Sequence, residues 1–368
     1  MAKIFEIVDK NYDLGGYASL ERFILHDGGE IESDVVLQND NISLYCLDHP
    51  NERVIFVESA TDVDYTAVPF IYFTQTDHAV RLIAVSYAEL ARLATRVPCP
   101  EQLVFIFSVG RTGSTLMNQI LNQVGGMVSF SEPDFFTNFV AVAYQTEDRE
   151  QLAPLMRHCF QLFARRYADQ RITIKMRSDV IDVADIIDVA FPNAKYLFMY
   201  RNIPDWAASY WNYYVPTEVE TRLVKVKDIR DFLNTYQGLS PYLEAHLPAD
   251  HHLSILVQVM ARWLVHIDAF YRAYEAGMPF FIFLYEDLIW HSETMLEKLF
   301  DYLDIAQSQV TNAMHGFKEH SQNSGKFMGG NKRKLGKEQV QIIHQMLTQH
   351  RRQFTLDFTV PDIRHPDA

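Results

Sequence analysis

The chain has 368 residues, 48% of them hydrophobic and 22% charged, which is enough apolar material for one large α/β domain and a smaller companion. Its formal net charge of −14 excludes a general nucleic-acid binder, because phosphate backbones demand a broad basic face. Three widely spaced cysteines, Cys46, Cys99 and Cys159, show no C-x-x-C spacing, so neither a disulfide framework nor a zinc site is expected.

The opening MAKIFEIVDKNYDLGG lacks the long apolar core of a signal peptide, and no run reaches the length of a membrane span. The expectation is a cytoplasmic protein. ISLYC (42–46), RVIFVES (53–59), PFIYF (69–73) and AVRLIAV (79–85) are rich in β-branched and aromatic residues and are bounded by polar loops, which predicts strands. Ser86 and Glu89 form an S-x-x-E capping box ahead of a short helix. VPCP (97–100) then breaks it and sets a boundary between a β-rich region of unknown role, 1–98, and a second domain, 99–368.

Beyond 101 the pattern alternates. Strands are predicted at 103–108, 127–130, 172–176, 195–200 and 279–285, and helices at 114–123, 151–168, 180–190, 203–213, 251–275 and 292–304. That order implies a P-loop-type α/β fold: a doubly wound, mostly parallel sheet flanked by helices, with the smaller β-rich region before it. Ligands of such folds bind at the carboxyl ends of the strands. Those ends carry Gly110-Arg111-Thr112-Gly113-Ser114-Thr115, then Ser131-Glu132-Pro133, Lys175 with Arg177, Arg201, and Tyr285-Glu286-Asp287.

FIFSVGRTGSTLMNQIL (105–121) joins a strand to a helix through a glycine-bearing turn, a pattern suited to an anion. It lacks the lysine of G-x-x-x-x-G-K-[ST], which P-loop kinases place on the transferred phosphoryl group. Read alone, it is either an anion site or an ordinary corner with a serine cap. In YLFMYRNIPDWAASYW (196–211), Arg201 ends a strand and Ser209 lies two turns into the next helix, a pair that can hold a second phosphate. The alternative is a salt-bridged arginine and a serine bonded to its own helix backbone.

The two segments together, with LYEDLIW (284–290) and the helix that follows it, resemble the sulfotransferase superfamily, whose members use 3′-phosphoadenosine 5′-phosphosulfate (PAPS). The resemblance covers roughly 101–355 and leaves out 1–96. It implies that Arg111 stabilises the leaving phosphate. It implies also that Thr112, Gly113, Ser114 and Thr115 hold the 5′-phosphosulfate, while Arg201 and Ser209 hold the 3′-phosphate. No metal is implied. Glu132 resembles the catalytic base of the family's glutamate branch; its bland reading is a helix cap. Lys175 and Arg177 share one strand face. They suit the transferring sulfonate, an acidic acceptor, or an ion pair with carboxylates such as Asp179, and of the two Lys175 is the catalytic candidate at the reactive centre.

GKFMGGNKRKLGK (325–337) is a basic run placed where the family carries a loop that closes on the 3′-phosphate, so Lys332 and Arg333 are donor-binding candidates. The departure from R-K-G-x-x-G leaves open which cation makes the contact. The acceptor is expected to be a hydroxyl of a small molecule, carbohydrate or peptide, less readily an amine. Two other readings remain: a P-loop kinase of a nucleoside or small molecule, and a non-catalytic nucleotide-binding protein.

Overall fold

The computed structural model describes residues 1–12, 17–214, 251–318 and 334–360. Among the described residues, ten strands fall into two sheets of five. The first sheet comprises β1 (Ala2–Lys10), β2 (Phe23–Ile31), β3 (Ile42–Asp48), β4 (Arg53–Ser59) and β5 (Ala79–Ser86), in the order β2-β1-β5-β4-β3. Its described pairs are all antiparallel. Short helices α1 (Val35–Gln38), α2 (Ile71–His78) and α3 (Tyr87–Ala94) accompany it. Phe23, Tyr45, Ile55, Val57, Tyr72 and Leu82 form its core.

The second sheet runs β10-β9-β6-β8-β7, from β6 (Leu103–Ser108), β7 (Met127–Ser131), β8 (Arg171–Lys175), β9 (Lys195–Tyr200) and β10 (Phe280–Leu284). All six residues of the central strand β6 are buried, the continuous apolar run that a strand covered on both faces requires. β6 and β7 each pair with β8 in parallel. Around this sheet run α4 (Ser114–Asn122), α5 (Phe135–Gln145), α6 (Leu152–Phe163), α7 (Ala184–Ala190), α8 (Ile203–Tyr214) and α9 (His251–Glu275). They are followed by α10 (Tyr285–Trp290), α11 (Ser292–Tyr302), α12 (Val310–Ala313) and α13 (Lys337–Gln349). The α/β architecture is the one expected from sequence.

Three details differ from expectation. The run PFIYF does not form a strand: helix α2 starts at Ile71. Short apolar runs do not distinguish strand from helix by composition, and here the polar TQTDH that follows extends a helical turn. Strands β1 and β2 were not foreseen, because β1 mixes charges into its alternation and β2, at the sheet edge, carries HDGGE in its middle. The capping box is half made. Ser86 Oγ accepts from the Glu89 N–H at 3.3 Å, but the Glu89 carboxylate turns to Ser33 and Arg92.

The chain forms two compact units. One combines Met1–Phe107, Thr115–Tyr196 and a short stretch from Thr311. Within it, the first sheet is bonded to the helices that follow: Arg165 donates to the carbonyls of Asn39 (2.9 Å) and Ile42 (2.7 Å), and the Leu47 N–H donates to Asn138 Oδ1 (3.0 Å). An aromatic core surrounds Phe105, with ring centres of Phe136, Phe160, Phe191 and Tyr196 between 5.4 and 6.5 Å away. The other unit combines Ser108–Ser114, Leu197–Val310 and the C-terminal stretch, and is centred on Trp206, Trp263, Phe354 and Phe358. Among the described residues no helix is long and apolar enough to cross a membrane.

Candidate active site

The second unit contains the glycine loop. Gly110, Arg111 and Gly113 have φ values of 75°, 54° and 78°, so three of four consecutive residues are left-handed. Glycine takes this conformation freely, whereas an arginine held there carries strain on the order of 1 kcal/mol or more. Loops of this kind turn successive N–H groups into a concavity that suits an anion. Gly113 also has no room for a side chain, since a Cβ would lie 2.6 Å from the Tyr285 ring. Thr112 is fully buried, and among the described residues its hydroxyl has no hydrogen-bond partner. A buried, unsatisfied hydroxyl is costly unless something meets it.

Helix α8 meets this loop. Trp206 and Ser209, three residues apart, lie on one helix face. The Trp206 indole N–H donates to the Gly110 carbonyl at 2.9 Å. Arg111 Nε donates to Ser209 Oγ at 3.2 Å. Two motifs nearly a hundred residues apart are therefore joined by direct bonds. Arg201 lies over the Tyr285 ring at 4.7 Å, with its Nε 3.5 Å from Glu286 Oε1. Glu286 Oε2 accepts the Asn202 N–H at 3.3 Å, which ties the start of α10 to the residue after Arg201. Ser209 thus meets Arg111, while the neighbours of Arg201 are Tyr285 and Glu286. Among the described residues, the buried Arg201 Nε and Glu286 Oε1 atoms have no hydrogen bond of good geometry.

The first unit contains the other cluster. In the β7–β8 register Ser131 stands opposite Lys175, and the Glu132 N–H continues the ladder to the Lys175 carbonyl at 2.8 Å. Glu132 is left-handed, with φ 56°. Its Oε1 pairs with Lys175 Nζ, and its Oε2 lies 3.5 Å from Arg177 Nε. Lys175 is nearly buried, with its ammonium 5.3 Å from the centre of the Phe70 ring. Arg177 also donates to both oxygens of Asp134, at 3.2 and 3.3 Å. Burial works against the Arg177 charge, but Asp134, Tyr72 and Glu132 hold its pKa well above the ordinary value. Burial pushes the Asp134 carboxyl up, against the opposing pull of Arg177 and the Ala18 N–H.

These contacts give Lys175 and Arg177 the ion pairs that were one of their sequence readings. Carboxylates that meet Lys175 and Arg177 include Glu132 and Asp134, which the parallel register brings beside β8; Asp179 accepts from the Tyr17 hydroxyl at 3.4 Å. Asp134 sits at the N-cap position of α5 but makes no side-chain cap bond to the backbone there. Its carboxylate takes the Ala18 N–H at 2.5 Å and the Thr137 hydroxyl at 2.8 Å. Ser114 and Thr115 open α4. Lys332 and Arg333 lie outside the described residues. Sequence reading missed Tyr17 and Tyr72, which adjoin Arg177 from the N-terminal region, and no local motif marks them.

Residues 101–328 match the sulfotransferase domain family. The chain belongs to that family and is a transferase by that membership. No curated protein matches the sequence closely. Solved structures with similar folds include sulfotransferase STF1 of Mycobacterium tuberculosis H37Rv, 12% identical with a TM-score of 0.38, which covers 65% of this chain and 81% of that one. Mouse sulfotransferase SULT7A1, solved with 3′-phosphoadenosine 5′-phosphate (PAP), is 12% identical with a TM-score of 0.39, over 72% of this chain and 90% of that one. Sulfotransferase STF9 of Mycobacterium avium is 12% identical with a TM-score of 0.40, over 70% and 78%.

Proposed function

We propose that this protein transfers a sulfuryl group from PAPS to a hydroxyl acceptor, in line and without a metal. The observation that carries the reading is the Arg111–Ser209 hydrogen bond of 3.2 Å, which joins the loop and the helix whose motifs resemble the two phosphate-binding segments of the family. The residues fit the donor. The unmatched Thr112 hydroxyl, the left-handed loop and the start of α4 offer donors to a phosphosulfate. When bound, PAPS supplies the sulfuryl group, and PAP is the leaving group.

In this proposal Arg111 and the backbone and hydroxyl groups of residues 112–115 hold the 5′ end. Arg201 and Ser209 take the 3′-phosphate, with Lys332 and Arg333 as further candidates. Tyr285 backs both Gly113 and Arg201, so it fixes the loop and the arginine together. Glu132 accepts the hydroxyl proton of the acceptor. Each of its oxygens meets one cation and keeps lone-pair capacity for a further bond. Lys175 neutralises Glu132 and supplies positive charge where negative charge develops. The chemistry belongs to the 99–368 segment in this reading.

The test is a calorimetric titration of the full chain with PAP in magnesium-free buffer, with AMP and ATP as controls. PAP is expected to bind at least about tenfold more tightly than AMP, since a charge-assisted phosphate contact contributes about 1.5–3 kcal/mol. Arg201→Ala should erase that preference. If PAP binds no better than AMP, or only magnesium–ATP binds, the sulfotransferase reading is wrong and a kinase reading replaces it.

A further inference from the structure

Arg177 has every edge of its guanidinium in use. Nε faces Glu132 Oε2 at 3.5 Å, one terminal nitrogen donates to both oxygens of Asp134, and the other donates to the Tyr72 hydroxyl at 3.0 Å. Its carbon lies over two aromatic rings, Tyr72 at 4.5 Å and Tyr17 at 4.8 Å. A cation committed in this way, and matched by two carboxylates, is poorly placed to receive an acidic acceptor.

The partners of Arg177 come from two parts of the chain. Glu132 and Asp134 follow β7. Tyr17 and Tyr72 belong to the N-terminal region, outside the 101–328 family segment. The same region is fastened at three further points. The Ala18 N–H donates to Asp134 at 2.5 Å, the Ala18 carbonyl accepts from Asn138 at 3.2 Å, and the Pro69 carbonyl accepts the Ser131 hydroxyl at 2.5 Å. Ser131 immediately precedes Glu132. The strained, left-handed Glu132 is thus gripped through its own side chain, its backbone N–H and its preceding residue.

We propose that Arg177 is a positioning residue that fixes the Glu132 carboxylate, and that the N-terminal region serves to hold Arg177 in place. This rests on the reading of Glu132 as the base. A planar guanidinium with five N–H groups can serve Glu132, Asp134 and Tyr72 at once, whereas an ammonium is a single point of charge and cannot span them. Arg177→Lys keeps the charge and loses the fork. Tyr72→Phe keeps the ring and loses one bond.

The experiment compares wild type, Glu132→Gln, Arg177→Lys and Tyr72→Phe as full chains. PAP affinity and thermal melting establish that each variant is folded with its donor site intact. The kinetic readout is hydrolysis of PAPS to PAP and sulfate, with water as the acceptor. The structural readout is a crystal structure of Arg177→Lys and of Tyr72→Phe. Arg177→Lys is expected to lower kcat about tenfold or more with the KM for PAPS unchanged, and Tyr72→Phe to lower it less, in keeping with one lost bond to a charged group. The Glu132 carboxylate should be displaced in the Arg177→Lys crystal. If Glu132→Gln leaves hydrolysis intact, the base reading fails. If Glu132→Gln is slow but Arg177→Lys matches wild type, or if Glu132 keeps its position in the Arg177→Lys crystal, the positioning role is overturned while the base reading stands. The crystal comparison decides the matter even where hydrolysis is too slow to follow.

Discussion

Left-handed residues mark both clusters. Arg111 and Glu132 are two of five described non-glycine residues with positive φ, and both sit in the segments that the sequence singled out. Gly113 carries the sharper constraint, because φ is 78° and the Tyr285 ring fills the space of a Cβ. Gly113→Ala therefore meets two penalties, a backbone one of about 1 kcal/mol and a steric one against a packed ring. Calorimetry with PAP should show affinity reduced about tenfold or more. Adding Tyr285→Ala relieves the steric part but also removes the ring under Arg201, so affinity should stay below wild type, and full recovery would show that neither the left-handed turn nor that ring matters. The residue types were legible in the sequence, but their partners were not. Lys175 and Arg177 were visible as cations on one strand face, yet their carboxylates are fixed by the β7–β8 register, which no local pattern encodes.

At the scale of elements, the most legible features were the buried central strands. LVFIFS and KYLFMY are uninterrupted apolar runs, and the structure places them as β6 and β9. The edge strands β3, β7 and β10 carried apolar runs and were legible, but the edge strand β2 was not, because its polar residues discourage further pairing and leave no strong apolar signal. The long helix α9 shows how the C-terminal stretch is attached. Its Asp268 accepts from buried His350 at 3.0 Å and from Arg352 Nε at 3.2 Å, and it lies 3.3 Å from Arg351. Burial raises the Asp268 pKa, but His350 and Arg351 outweigh it and leave the net value below the ordinary 3.8. A depressed carboxyl pKa means that the unfolded state binds the proton more readily. The stabilisation is therefore present above the unfolded value near 3.8 and is lost as pH falls through the lower folded value. Urea midpoints measured from pH 5 downward should fall more steeply in wild type than in Asp268→Asn. Parallel acid limbs would show that the cluster contributes nothing.

On the scale of the molecule, the family segment begins at residue 101, yet the first compact unit runs from Met1 through both sides of that point. Removing residues 1–98 would strip Arg165 of two carbonyl acceptors, Asp134 of the Ala18 N–H and Arg177 of the Tyr72 hydroxyl. Hydrogen bonds to charged groups contribute about 1.5–3 kcal/mol each, so losing several together is comparable to the whole stability of many domains. The 99–368 fragment is expected to be aggregated or to lack a cooperative melt by circular dichroism. A melt within a few degrees of the full chain would show instead that the N-terminal region is dispensable for folding.

Gly316 has a consequence for how the protein is made. A Cβ on it would stand 2.6 Å from the Ile120 Cα, so this residue packs directly on the backbone of α4. Yet Gly316 follows Ile120 by nearly two hundred positions, in the short stretch that returns to the first unit. At about 5–20 residues per second on a ribosome, roughly 10–40 s separate the emergence of the two. During that interval the helix that follows the glycine loop lacks its covering segment. The nascent chain is then open to chaperone capture, and the loop is expected to reach its final form only after most of the polypeptide has been released.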